Sequence, residues 1–173
     1  GATITLEALA LGASDFVLKT GGTVSRDISD LEIPLINKIN ALTKTGKPQR
    51  PTTKTPPVVK QKVVRSNKSV PFEVVLVGVS TGGPKKLEHL VANLSPSFPA
   101  PVVISQHMPA SFTNALAKRL DGLSPLSVVE VDNKMPMKPG TVYLAKGDAD
   151  LAFSKVGKDV FARPVPSSPS FLW

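Results

Sequence analysis

The stretch Val74-Val75-Leu76-Val77-Gly78-Val79-Ser80-Thr81-Gly82-Gly83-Pro84 decides how this chain folds. Its first four residues are apolar and mostly β-branched, the pattern of a strand buried on both faces. The glycines that follow mark a tight turn, and Pro84 suits the first turn of a helix. Leu87, Leu90, Val91 and Leu94 then recur at helical spacing. The unit repeats downstream. Val102-Val103-Ile104 reads as a second buried strand, and Phe112, Ala115, Leu116, Ala117 and Leu120 as a second helical stripe. Val128-Val129-Val131 and Val142-Tyr143-Leu144 read as further strands, joined by a turn at Pro139-Gly140. Alternating strands and helices predict an α/β fold with a doubly wound parallel sheet, here over residues 71–173.

Upstream the pattern is less complete. Thr3 to Leu11 carries Leu6 and Leu9 among alanines, and Gly12 stands where a helix ends. Phe16-Val17-Leu18 reads as a short buried strand. Leu31, Leu35, Ile36, Ile39 and Leu42 predict an amphipathic helix over about Asp27 to Leu42, with Pro34 shortening or kinking its start. Helix, strand and helix within 43 residues are too little to close a core alone. Residues 1–43 therefore read as part of a larger unit. Gly1 is not a start methionine and Phe171-Leu172-Trp173 ends without a stop signal, so both ends read as cuts.

Between the blocks, residues 44–70 carry Pro48, Pro51, Pro56 and Pro57 together with eight basic residues and no acidic one. Removing those eight of 21 leaves as many basic residues as acidic ones, 13, so the net charge of +8 belongs to this segment alone. Its composition is that of a solvated, proline-stiffened linker. A tether to nucleic acid is the rival reading. No aromatic residue interleaves the charges to stack on bases, so no nucleic-acid partner is expected. The absence of cysteine excludes disulfides and thiolate chemistry and fits a reducing cytoplasm. No apolar run is long enough to span a membrane, so no membrane insertion is expected.

Gly78 to Gly82 spells G-x-S-x-G between a strand and a helix, the setting in which that short pattern carries meaning. Ser80 then stands near a helix N-terminus, where free N–H groups favour negative charge. Three readings stand side by side. Ser80 is a nucleophile, or Ser80 or Thr81 caps the helix, or the loop cradles phosphate, although it matches neither the P-loop nor the G-x-G-x-x-G spacing. His107 bears on the choice. It follows the second strand within three residues, and consecutive parallel strands are usually neighbours whose C-terminal ends share one sheet edge. Topology thus delivers Ser80 and His107 to one edge, where the imidazole can serve the hydroxyl as general base. His89 lies off the apolar face of its helix and is assigned to solvent.

Longer motifs carry a resemblance. V-G-V-S-T-G-G-P, the run Q-H-M-P-x-x-F-T-x-x-L-A-x-R-L from Gln106 to Leu120, and P-G-T-V-Y-L-A-x-G-D from Pro139 to Asp148 resemble the catalytic domain of chemotaxis protein-glutamate methylesterases. A-L-A-L-G-A-S-D-F-V-L-K, Ala8 to Lys19, resembles the end of a flavodoxin-like response-regulator receiver domain, which precedes the esterase domain in that family.

The resemblance implies Ser80 as nucleophile and His107 as its base, with Thr81, Gly82 and Gly83 shaping the site. It implies that no metal or organic cofactor is needed. The substrates implied are methyl-accepting chemotaxis receptors, and a histidine kinase is the phosphodonor to the complete receiver. The family's third group, an Asp that orients the histidine, is expected beyond Trp173; Asp148 and Asp150 belong to an earlier loop and neither is assigned that role. Lys19 matches the receiver lysine that contacts the acyl phosphate, while the phosphoacceptor Asp is expected before Gly1. Thr20 stands where most receivers carry proline, so the cis bond of that turn has no proline to support it. The resemblance also implies that this piece alone is inactive.

Overall fold

A computed structural model of the chain describes residues 1–18, 29–43 and 74–168. Lys19, Thr20 and the basic segment 44–70 lie outside the described residues. Residues 74–168 form β1 (Val75–Val79), β2 (Val102–Gln106), β3 (Ser127–Val131), β4 (Met135–Pro136), β5 (Thr141–Ala145), β6 (Ala149–Val156) and β7 (Asp159–Pro166). The helices are α1 (Ala2–Leu11), α2 (Ser29–Thr43), α3 (Gly83–Ala92) and α4 (Ala110–Asp121).

Strands β1-β2-β5-β3 pair in that order, all in parallel. This is the mixed α/β arrangement that the apolar runs predict. Val102 and Ile104 of β2, Val142 and Leu144 of β5 and Val128 of β3 turn to one face and meet Leu87 and Val91 of α3 and Phe112, Leu116 and Leu120 of α4. Leu87, Ile104, Leu116, Leu120 and Leu144 are fully enclosed. Burial of each such side chain stabilises by roughly 1.5–3 kcal/mol. Across the helix layer, Arg119 Nε of α4 donates to Glu88 Oε1 of α3 at 2.6 Å. That hydrogen bond holds the guanidinium pKa above its ordinary value.

The turn at Pro139-Gly140 is present, yet it leads from β4 into β5 rather than directly from β3. Strands β3 and β5 are parallel, so the chain must leave the sheet between them, and β4 makes that excursion. The Tyr143 hydroxyl pins it, donating to Pro136 O at 2.9 Å and accepting from Lys138 N at 2.8 Å. Strand β4 joins β7 and β6 in an antiparallel sheet over Val103, Val131 and Tyr143 on the second face. This hairpin is absent from the sequence reading. Its signal is Val156-Gly157-Lys158-Asp159, a two-residue loop with glycine first at φ 62° between paired eight-residue strands.

The N-terminal segment departs from expectation at one point. Helix α1 ends at Gly12 as predicted, with Gly12 N and Ala13 N returning to Leu9 O and Ala8 O. Phe16-Val17-Leu18, however, is not a strand. No neighbouring strand among the described residues offers its backbone a partner, and Phe16 instead stacks on Phe112 with ring centroids 4.6 Å apart. Leu6 and Leu9 join the core beside α3 and α4. The N-terminal segment thus docks its apolar face on the second block. Helix α2 forms through Pro34, but Leu35, Ile36 and Ile39 of its stripe stay exposed.

Candidate active site

The site is built where β1 and β2 run out. Their register ends on Val79 opposite Gln106, and His107 N donates to Val79 O at 3.0 Å. Ser80 and His107 are therefore the first residues beyond matched ends of adjacent parallel strands. Both side chains reach solvent. They line one narrow cleft together with Thr81, Gly82 and Gln106. Among the described residues neither the Ser80 hydroxyl nor the His107 ring takes part in a hydrogen bond, and catalytic contacts often tighten only once substrate is bound.

The strand-to-helix turn explains the residue types. Gly82 is the N-cap of α3 in the left-handed conformation, φ 72°, and no side chain caps this helix. Gly83 N donates to Ser80 O at 2.8 Å, closing the turn. The capping reading of Ser80 or Thr81 is thereby overturned: Ser80 projects outward, and Thr81 Oγ1 donates to Asp15 Oδ2 at 3.0 Å. Gly83 packs so tightly against Gln106 that a β-carbon there would overlap Gln106 Oε1. His89 is exposed near the far end of α3, away from this edge.

Gln106, unassigned in the sequence reading, is buried behind the two turns. Its Nε2 donates to Ser80 O and to His107 O, each at 3.1 Å. Two carbonyl acceptors fix which end of the amide is nitrogen.

A second support comes from the loop after β5. Asp148 Oδ2 accepts from Ala110 N at 2.9 Å, capping α4, whose own N-cap is Pro109. Asp148 holds a left-handed φ of 55°, the one non-glycine residue to do so among the described residues. Beside it, Gly147 N donates to the enclosed Thr113 Oγ1 at 3.2 Å, and Thr113 Oγ1 donates to Glu130 Oε1. These contacts clamp Met108-Pro109-Ala110, the turn that follows His107. Asp148→Ala is expected to lower stability by about 1 kcal/mol through loss of the cap. Asp148→Asn should cost less, because asparagine accepts the same bond and tolerates the left-handed region. Denaturant midpoints of the two variants test this order.

The N-terminal segment closes over the same edge. Asp15 accepts from Lys38 Nζ at 2.8 Å and from Phe16 N at 2.7 Å as well as from Thr81. Leu9, Asp15, Phe16 and Lys38 line the cleft with Ser80 and His107, and about 10 Å³ stays open. No sequence motif signalled the Asp15–Thr81 contact, which joins residues 66 positions apart.

Comparison with known proteins agrees with the parallel α/β fold. The CheB methylesterase family profile matches residues 75–170, more than half of the chain. A protein-glutamate methylesterase/protein-glutamine glutaminase of Rhodospirillum rubrum is 41% identical over 186 aligned positions, covering 100% of this chain and 50% of that protein. One from Thermotoga maritima is 40% identical over 164 positions, covering 93% and 46%. The crystal structure of the Thermotoga maritima CheB methylesterase catalytic domain aligns with a TM-score of 0.54 at 43% identity, over 57% of this chain and 52% of that one. The chain spans about half the length of the curated relatives it matches. With the parallel sheet and the profile match in agreement, the chain belongs to the CheB methylesterase family.

Proposed function

We propose that the protein carrying this chain is a serine hydrolase that removes methyl esters from glutamate side chains of chemotaxis receptors and deamidates glutamine by the same route. The observation that carries the proposal is the placement of Ser80 and His107 at matched ends of adjacent parallel strands, beside the N-terminus of α3. Ser80 Oγ attacks the ester carbonyl while His107 takes its proton. Backbone N–H groups at the start of α3 face the developing oxyanion, in a helix terminus already favourable to negative charge. The intermediate collapses as His107 returns the proton to the leaving methanol, or to ammonia from a glutamine. Water, activated by His107, then cleaves the acyl-serine to release glutamate. The carboxylate that orients His107 is assigned to residues beyond Trp173.

The division into a receiver part (1–43), a linker (44–70) and a catalytic part (71–173) belongs to the same reading, as do a cytoplasmic location, phosphorylation by a histidine kinase, and inactivity of this piece alone. Lys19 is the receiver residue assigned to the acyl phosphate. Control by the receiver is supported by the contact of Asp15 with Thr81 and by the narrow cleft behind it.

A serine-directed phosphonate tests the chemistry: covalent labelling at Ser80 of the folded full-length protein is expected. Its absence there, with the protein binding phosphate instead, would favour a non-catalytic phosphate loop. Asp15→Ala is expected to speed labelling roughly fivefold, the factor that corresponds to about 1 kcal/mol of lost contact. An unchanged rate in a folded variant contradicts control through this contact.

A further inference from the structure

We propose that Gln106 is a positioning residue that staples the Ser80 turn to the His107 turn, and that position 83 must be glycine to seat it. The proposal rests on the reading of Ser80 and His107 as nucleophile and base. Sheet hydrogen bonding holds β1 to β2 only as far as Val79 and Gln106. Beyond that pair the chains diverge, one into α3 and the other through Met108-Pro109 into α4. At the divergence His107 N donates to Val79 O and Gln106 Nε2 crosses to Ser80 O, while the same nitrogen holds His107 O on its own segment. One amide nitrogen thus grips the carbonyls of both residues assigned to the chemistry. Their separation is set by that grip.

The surroundings point to a specific demand for this amide. Gln106 is 6% exposed, and its Oε1 is buried without a protein partner. An apolar side chain of similar length would remove the unpaired Oε1, but it would also remove the donor that His107 O and Ser80 O accept from. The amide leaves its own oxygen unpaired, while its donor end serves both turns. Gly83 completes the device. A β-carbon would overlap Gln106 Oε1, so alanine at 83 displaces the amide without altering any side chain that bonds to Ser80 or His107.

The test uses the full-length protein. Gln106→Leu and Gly83→Ala are each expected to lower kcat for ester hydrolysis about 10- to 100-fold, the loss that a misplacement of about 1 Å brings. KM should change less than about threefold, and unfolding should stay cooperative. Gln106→Ala removes the amide and opens space for a β-carbon, so adding Gly83→Ala to it should cost little more; the two losses are not additive. If Gln106→Leu does not fold, Gln106→Met takes its place. Retention of kcat within about threefold, or additive losses in the double variant, overturns the proposal. If the wild-type protein neither hydrolyses ester nor labels at Ser80, the proposed function fails and amide exchange decides the staple. Faster exchange at Gly83 and His107 in Gln106→Leu, with β2 and β5 unchanged, then supports it; unchanged exchange at both amides overturns it.

Discussion

Ser80→Ala is expected to lower methyl-ester hydrolysis by the full-length protein about 10⁴-fold or more while leaving its stability nearly unchanged. Ser80 is exposed, its hydroxyl holds no hydrogen bond among the described residues, and its backbone carries the turn. Truncation therefore removes the attacking oxygen and little else. Loss of a nucleophile from a hydrolytic triad typically costs four to six orders of magnitude, and the residual rate reflects binding and oxyanion stabilisation. Because nucleophile and base act as one unit, Ser80→Ala combined with His107→Ala should fall no further than Ser80→Ala alone. Methanol release from a methylated receptor fragment measures both. More than a tenth of the wild-type rate in Ser80→Ala would rule out this serine as the nucleophile.

The largest structural effect is expected at Gly147. A β-carbon there would lie 2.6 Å from Ala110 N and 2.6 Å from Pro109 C, and would also meet Met108 O. All three are backbone atoms, which cannot swing aside as a side-chain tip can. Gly147→Ala must displace either the loop after β5 or the turn after His107, breaking the Thr113 and Asp148 hydrogen bonds that join them. A destabilisation of about 3 kcal/mol follows, the upper end for overpacking in a well-packed site. Urea unfolding measures it, and phosphonate labelling of Ser80 should slow in parallel. A midpoint shift worth less than about 0.5 kcal/mol would mean that this loop does not clamp the turn.

Local sequence carried much of the fold because its signals are periodic. The β-branched runs at Val75–Val79 and Val102–Gln106 mark parallel strands, and Val102 to Ile104 of β2 are buried on both faces. Strand β1 buries only one face and leaves Leu76 65% exposed, against the expectation from its apolar run. The stripe Leu87–Val91 announces a helix with one apolar face, and both its ends are buried against that sheet. The same reasoning misplaced Phe16-Val17-Leu18, because an apolar run specifies burial and not a partner. With no strand beside it among the described residues, Phe16 stacks on Phe112 instead. The β6–β7 hairpin is faint in the sequence for a different reason. Its strands hold Ala, Ser, Lys, Arg and Pro in weak alternation, so its turn glycine was the clearest available cue.

The candidate site divides along similar lines. Ser80 and His107 were legible from residue order, because consecutive strands of a parallel α/β unit deliver their C-terminal ends to one edge. Chain connectivity imposes that juxtaposition, and the register Val79↔Gln106 is its structural form. What holds and covers the pair arose only when distant segments packed. Gln106 reaches Ser80 across 26 residues, Asp148 caps Ala110 across 38, and Asp15 meets Thr81 across 66. Hydrogen bonds of that range leave no period and no spacing in the chain. They depend on close approach of backbones, which the fold creates and which Gly83 and Gly147 permit.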